Sequence, residues 1–135
     1  MDRWRDRLRR RQWDADKALG RRGEDLAHRY LQREGFVIVA RNYRLAAGEA
    51  EADLVAWEGD KLVIVEVKTR GSVEFGSPER AVGPDKERHL RRVARAYARR
   101  AGIEIERVRI DIVTVVMGRD RARPEIELLR GAVGF

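Results

Sequence analysis

Leu62-Val63-Ile64-Val65-Glu66-Val67-Lys68 has the apolar density of a strand buried on both faces, yet it ends in two charged side chains on one of them. Alternation puts Leu62, Ile64, Glu66 and Lys68 on one face and Val63, Val65 and Val67 on the other. Taking an ion out of water costs several kcal/mol unless a partner or a metal compensates, so Glu66 and Lys68 need a reason to be there. The preceding run, Ala52-Asp53-Leu54-Val55-Ala56-Trp57, reads as a second strand. Glu58-Gly59-Asp60 between them reads as a hairpin turn, with Gly59 supplying the dihedrals that other residues avoid. A turn centred on Gly59 sets Asp53 opposite Val65 or Glu66. Two carboxylates and an ammonium then meet at one end of the hairpin.

Such a group suits a hard divalent cation beside a phosphate. Mg²⁺, or Mn²⁺ in its place, takes oxygen ligands, commonly one or two carboxylates with waters and substrate phosphates. Asp53, Glu66 and the Val67 carbonyl make a partial shell of that kind. Lys68, just beyond it, would hold or deprotonate an attacking water and offset charge growing on a phosphate.

These residues resemble the PD-(D/E)xK core of restriction-endonuclease-like nucleases, and the wider chain resembles the YraN family of bacterial proteins. The resemblance covers about residues 17 to 135. It runs through Gly20, Gly23 and Glu24, Arg41-Asn42-Tyr43-Arg44, Glu51-Ala52-Asp53-Leu54, Val65-Glu66-Val67-Lys68-Thr69-Arg70, Phe75-Gly76, Lys86 and Arg109-Ile110-Asp111-Ile112-Val113. It implies an α/β fold with a central mixed sheet flanked by helices, the restriction-endonuclease-like or tRNA endonuclease-like architecture. In layout the family is similar to archaeal Holliday-junction resolvases, where a first-helix glutamate joins the metal site, and Glu24 matches that position. The family's usual Gly-Glu-Ile-Asp stands here as Ala50-Glu51-Ala52-Asp53, which moves the turn glycine to Gly48.

Length and composition fit one domain. A chain of 135 residues with 43% hydrophobic content builds a single core of ordinary size. The absence of cysteine excludes a disulfide scaffold and leans towards a reducing cytoplasm. No apolar run has the length of a membrane span or of a signal-peptide core, so a membrane partner is not expected. A formal charge of +7 and a pI near 10.5 favour a polyanionic partner, nucleic acid first and DNA before RNA. All but four of the thirty basic residues are arginine, so their distribution decides more than their number.

Residues 1–13 interleave Trp4 and Trp13 with six arginines, a pattern that can grip phosphates and stack on bases if it orders on binding, and that on the blander and favoured reading is a basic, flexible tail ahead of a domain spanning 14–135. From about Asp16 to Glu34, Gly23, Leu26, Ala27, Tyr30 and Leu31 recur at helical spacing, and Gly35 supplies the stop. Gly20 and Gly23 weaken that helix, so their place on its inner side implies a close approach to backbone or to a bound strand. Glu24 lies along the core-facing edge. A strand is expected from Phe36 to Asn42.

The Gly- and Pro-rich stretch from Thr69 to Gly83, with a single turn at Glu79 to Val82, reads as an active-site loop, with Arg70 and Arg80 available to phosphate. Pro84 opens a second helix. Its buried stripe is Leu90, Val93, Ala94, Tyr97 and Ala101, beside a ridge of Arg88, Arg91, Arg92, Arg95 and Arg99 that suits a nucleic-acid backbone or, equally, a solvated face. Lys86 at its start matches a position of the family it resembles, which implies a reach to the scissile phosphate. Val108 to Val116 and Glu125 to Leu129 read as the last strands, with Asp111 either a further carboxylate near the site or, on the favoured reading, paired to an arginine such as Arg109 or Arg44.

The expected function is metal-dependent phosphodiester hydrolysis by an endonuclease, with branched DNA as one substrate shape and a homodimer matched to a two-fold symmetric junction. Two alternatives stand beside it. One is a nucleic-acid-binding module without turnover, and the other an interaction protein in which Asp53, Glu66 and Lys68 form a structural ion-pair cluster.

Overall fold

The computed structural model describes residues 3–46, 48, 50–71, 82–118 and 123–135. In chain order these form helix α1 (Arg3–Arg33), strands β1 (Val37–Arg44), β2 (Glu51–Glu58) and β3 (Lys61–Arg70), helix α2 (Pro84–Ala101), a 3-10 turn at Ile105–Arg107, and strands β4 (Val108–Val116) and β5 (Glu125–Val133). The five strands form one mixed sheet in the order β1-β2-β3-β4-β5, in which β3 and β4 are parallel and all other neighbours antiparallel. This α/β arrangement, flanked by helices, is compatible with the restriction-endonuclease-like architecture.

The central strand obeys the alternation of its sequence. Leu62 and Ile64 pack with Leu90, Val93, Ala94 and Ala98 of α2, whereas Val63, Val65 and Val67 pack with Ala27 and Leu31 of α1. The two helices therefore cover opposite faces of the sheet. Gly59, at φ 60°, makes the two-residue turn that pairs Glu58 with Lys61. Pro84 begins α2, and Gly102, at φ 68°, ends it.

Four boundaries and contacts differ from the sequence reading. Helix α1 starts at Arg3, not near Asp16, so the segment read as a flexible tail continues the helix. Residues 3–15 hold no Gly or Pro, and i,i+4 contacts support the turn, from Gln12 to Asp16 (3.0 Å) and from Lys17 to the Trp13 ring (4.2 Å). Every described side chain from Arg3 to Ala18 is exposed, so this length does not pack on the sheet. The stripe of α2 ends in Ala98 and leaves Ala101 exposed. Strand β3 extends through Thr69 to Arg70, and residues 72–81 of the expected loop, with Phe75, Gly76 and Arg80, lie outside the described residues. Strand β5 extends past Leu129 to Val133 through a register shift, with Gly131 at φ 62°.

On the α1 face, Asp111 is fully buried and takes both nitrogens of Arg109 at 2.8 Å and the Gly131 N–H at 2.9 Å. Arg109 also reaches Glu58 at 2.6 Å, and Arg130 reaches Glu58 at 2.7 Å. The expected Asp111–Arg109 pair is thus present, while Arg44 bonds Glu51 instead (2.9 Å). Arg130, and then Arg109, hold the Glu58 carboxyl down at about 2, against burial that raises it. Its folded value lies below the ordinary 4.5, so its contribution to stability is complete above 4.5 and is lost as pH falls through about 2. Glu58→Gln is expected to flatten the loss of Tm across that window. Melting curves whose pH dependence matched wild type there would refute the assignment.

Gly23 is buried where α1 crosses β3. A Cβ there would land on the Thr69 hydroxyl and come within 2.7 Å of Thr69 Cβ, whereas one on Gly20 meets nothing within 4 Å. Gly23→Ala should cost about 1–3 kcal/mol by overpacking, and Gly20→Ala should gain roughly 0.5–1 kcal/mol of helix propensity. Urea titration of the two variants checks the contrast, and equal effects would show that the crossing is not tight.

Candidate functional site

The β2–β3 ladder runs from Glu58↔Lys61 to Leu54↔Val65, which puts Asp53 across from Glu66, the second of the two positions the turn allows. Beyond that point the carboxylate of Asp53 takes over the work of the ladder: its Oδ2 accepts the Val67 N–H at 2.7 Å. On the other side of Asp53, the β1–β2 register passes from Arg41↔Leu54 to Tyr43↔Ala52 and leaves Asn42 facing it at φ 50°. Asn tolerates that left-handed conformation better than most residues. The change of backbone also shows in packing, because Ala52 joins the α2-side core with Val55 while Leu54 lies on the α1 side. The sheet is distorted at the position of its acidic pair.

Around this point lies a cleft of about 300 Å³ lined by α1 (Asp16, Leu19, Gly20, Glu24), β2 (Glu51, Asp53), β3 (Glu66 to Thr69) and Lys86 of α2. Asp53, Glu66, Lys68, Glu24 and Lys86, named separately in the sequence, therefore share one cavity. Glu66 is 8% exposed, its Oε1 lies 3.5 Å from Lys86 Nζ, and its buried Oε2 has no hydrogen-bond partner among the described residues. Burial first, and then the charge of Asp53, push Glu66 up to about 8, against the pull of Lys86. Asp53 is also raised, by burial above all, with the Val67 N–H and Lys86 opposing. Glu24 is raised by burial and then by Asp53, with Arg41 opposing. Lys68 makes no ion pair among the described residues.

Arg41 was not singled out as a site residue, yet it ties α1 to the sheet edge, at 2.8 Å from Asp25 and 3.6 Å from Glu24. Only its place in a quoted motif marked it. Glu51 is held by Arg44 at the sheet edge and lines the same cleft. Asp111 lies on the other face of the sheet, within the arginine network, and takes no part here. The ridge of α2 is real in geometry: Arg88, Arg91, Arg92, Arg95 and Arg99 line a shallow groove of about 470 Å³. Arg88 pairs with Asp85, Arg91 bonds the Gly134 carbonyl (2.7 Å) and lies 3.4 Å from Glu87, and Arg95 lies over the Phe135 ring. Arg70 ends β3, half-buried and beside Val116.

No three His, Cys, Asp or Glu side chains among the described residues form a ready-made metal cage. The donor set still fits a cation that keeps most of its water. Asp53 and Glu66 offer hard oxygens at one point, Glu24 stands at the edge, and the unpartnered Oε2 is an acceptor in need of a positive partner.

The sheet, its two helices and this buried acidic pair define an α/β protein with one charged cleft at the end of its central strands. The chain belongs to the uncharacterised protein family UPF0102, whose model matches residues 23–115, in agreement with the YraN resemblance of the sequence. It is 54% identical over 127 residues to a UPF0102 protein of Solibacter usitatus, a match spanning 94% of this chain and 92% of that one. It is 48% identical over 115 residues to one of Rhodococcus jostii (85% and 95%) and 45% over 113 residues to one of Koribacter versatilis (84% and 77%).

The acidic pair stores repulsion. The folded value of Glu66 lies above the ordinary 4.5, so the folded state loses stability as pH rises from there through about 8. Asp53→Asn keeps an oxygen for the Val67 N–H and gains an amide that can donate to Glu66. In EDTA near pH 8 it should melt higher than wild type, by on the order of 4 °C for each kcal/mol relieved. An unchanged or lower Tm would show that the pair carries no such strain.

Proposed function

We propose that this protein is a metal-dependent endonuclease that hydrolyses phosphodiester bonds in nucleic acid, DNA before RNA, with branched DNA as one substrate shape to test. The observation that carries the reading is the buried Glu66 Oε2, without a hydrogen-bond partner among the described residues, beside Asp53 in a cleft that also holds Lys68 and Lys86. A fold without a ligand has little reason to keep two carboxylates against each other out of water. A structural ion-pair cluster would set Lys68 against a carboxylate, and among the described residues it has none.

In this reading Asp53 and Glu66, with Glu24 and the Val67 carbonyl, hold Mg²⁺ or Mn²⁺, which when bound polarises the phosphoryl oxygens. The chain's own part is positional. Lys68 Nζ holds the attacking water and offsets charge on the phosphate. Lys86, at the first turn of α2, turns from Glu66 to a non-bridging phosphate oxygen. The arginine ridge and Arg70 hold the backbone to either side, which makes binding salt-sensitive. A homodimer would match a two-fold symmetric junction. A nucleic-acid partner and a chain without cysteine support a cytoplasmic location in this reading. Among the described residues no helix is long and apolar enough to cross a membrane.

The test offers labelled four-way junction, flap, duplex and single-stranded substrates to the intact chain in Mg²⁺, Mn²⁺ or EDTA. Cleavage should require the metal, and Lys68→Ala should lower its rate by about 10²–10³-fold while leaving retardation in EDTA intact. Substrates retarded but uncut in every lane would assign a binding module, and cleavage unchanged in Lys68→Ala would discard this mechanism.

A further inference from the structure

Residues 3–18 of α1 are exposed and contribute no buried side chain among the described residues, yet they are not turned at random. Residues 9, 13, 16, 20 and 27 follow one another at helical spacing and share a face. That face buries Ala27 against the sheet and lines the cleft at Gly20 and Asp16, then continues past it as Trp13 and Arg9. Trp13 is 60% exposed. At 1.5 Å per residue, Arg9 lies roughly 16 Å beyond Gly20, about five base-pair rises of a duplex. Arg3–Lys17 holds seven cationic side chains against Asp6, Asp14 and Asp16, a surplus of four positive charges. Such a surface matches a polyanion, and its continuity with the cleft says where that polyanion lies.

We propose that the exposed length of α1 is a substrate arm that grips the nucleic acid leaving the cleft, with Arg9 on its phosphates and Trp13 against a base or sugar face. The proposal rests on nucleic acid being the ligand of the cleft and does not require that the ligand be cut. It gives the protein an asymmetric footprint. α2 meets the substrate from the other face of the sheet through Lys86 and the ridge, while the arm extends the contact outward from the cleft. A lipid surface fits less well, because Trp4 and Leu8, the large apolar residues of this segment besides Trp13, lie on a different helix face from Arg9 and are too few for an interfacial anchor.

The test is binding by the full chain in EDTA, read by fluorescence anisotropy, to hairpin duplexes of about 4 and about 20 base pairs; at ~3.4 Å per pair the shorter spans about 14 Å and, centred on the cleft, stops short of Trp13 and Arg9, whereas the longer reaches both. Arg9→Ala with Trp13→Ala should weaken the longer duplex by about tenfold, lower its salt slope by about 0.9 for the one lost phosphate contact, and leave the shorter one unchanged. Because both side chains are exposed, the variant should stay folded, with the loss of the Lys17–Trp13 contact lowering the far-ultraviolet helical signal and Tm only slightly. Equal weakening of both lengths, or of neither, overturns the arm. So does failure of the intact chain to bind either duplex while it is retained on phosphatidylcholine–phosphatidylglycerol vesicles, which would assign the helix to a membrane surface. Cleavage plays no part in the readout, so an uncut substrate overturns the nuclease reading alone, and a length-independent variant overturns the arm alone.

Discussion

The contact between Asp53 and the Val67 N–H is the point from which the site follows. Side-chain capture of a strand's backbone donor lets β2 and β3 part without orphaning that N–H, and an orphaned buried donor costs about 1–3 kcal/mol. The same contact fixes the direction of the Asp53 carboxylate and holds it beside Glu66. A pair of buried acids would ordinarily drift apart or be neutralised by an arginine. Here the backbone bond holds one of them in place, and the counter-charge on offer is a lysine 3.5 Å from the other.

The sheet uses the same device twice, with opposite results. Asp111 also catches a strand donor released by an irregularity, the Gly131 N–H at the β4–β5 register shift. Around Asp111, however, Arg109 saturates both carboxylate oxygens, and Arg130 and Glu58 complete a network across β2, β4 and β5. Charge there is balanced and every oxygen is occupied, so that end of the sheet is a clamp. At Asp53 charge is unbalanced and an oxygen of Glu66 is idle. Both clusters are acidic residues within apolar strands, and only the state of satisfaction distinguishes structure from site.

What could be read beforehand was what local rules determine. The alternation of residues 62–68, the Gly59 turn and the arithmetic of the hairpin put Asp53 across from Val65 or Glu66, of which the register takes Glu66; Pro84 marked the start of α2, and Val108–Val116 was read to its ends. Long-range choices were not legible. Nothing in the text separates Ala98 from Ala101 as a core residue, because both lie near the α2 stripe and the sheet decides. The partner of Arg44 is Glu51, across a hairpin whose loop length was uncertain. Asn42 carries the positive φ beside the site, but Asn is common in ordinary turns and gave no signal inside a strand. Gly131 hid the last part of β5, because a glycine in a strand reads as an end before it reads as a bulge. The length of α1 was missed for another reason: a solvated, arginine-rich stretch looks like a tail when periodic burial is the criterion, and this one has none.

That last point bears on how the molecule distributes its charge. A core of ordinary size needs only the portion of α1 that covers Val63, Val65 and Val67, which Ala27 and Leu31 supply with Phe36. The turns before Gly20 add no buried apolar area, and they concentrate positive charge that repels itself. Their cost is offset in the folded protein by little more than helix propensity and local pairs such as Gln12–Asp16. Self-repulsion of this kind would be relieved by an anionic ligand, and the deficit at the cleft by a cation beside Asp53 and Glu66. In the proposed function a phosphodiester bound with a divalent metal would supply both charges at adjacent places, so that reading accounts for the two features together.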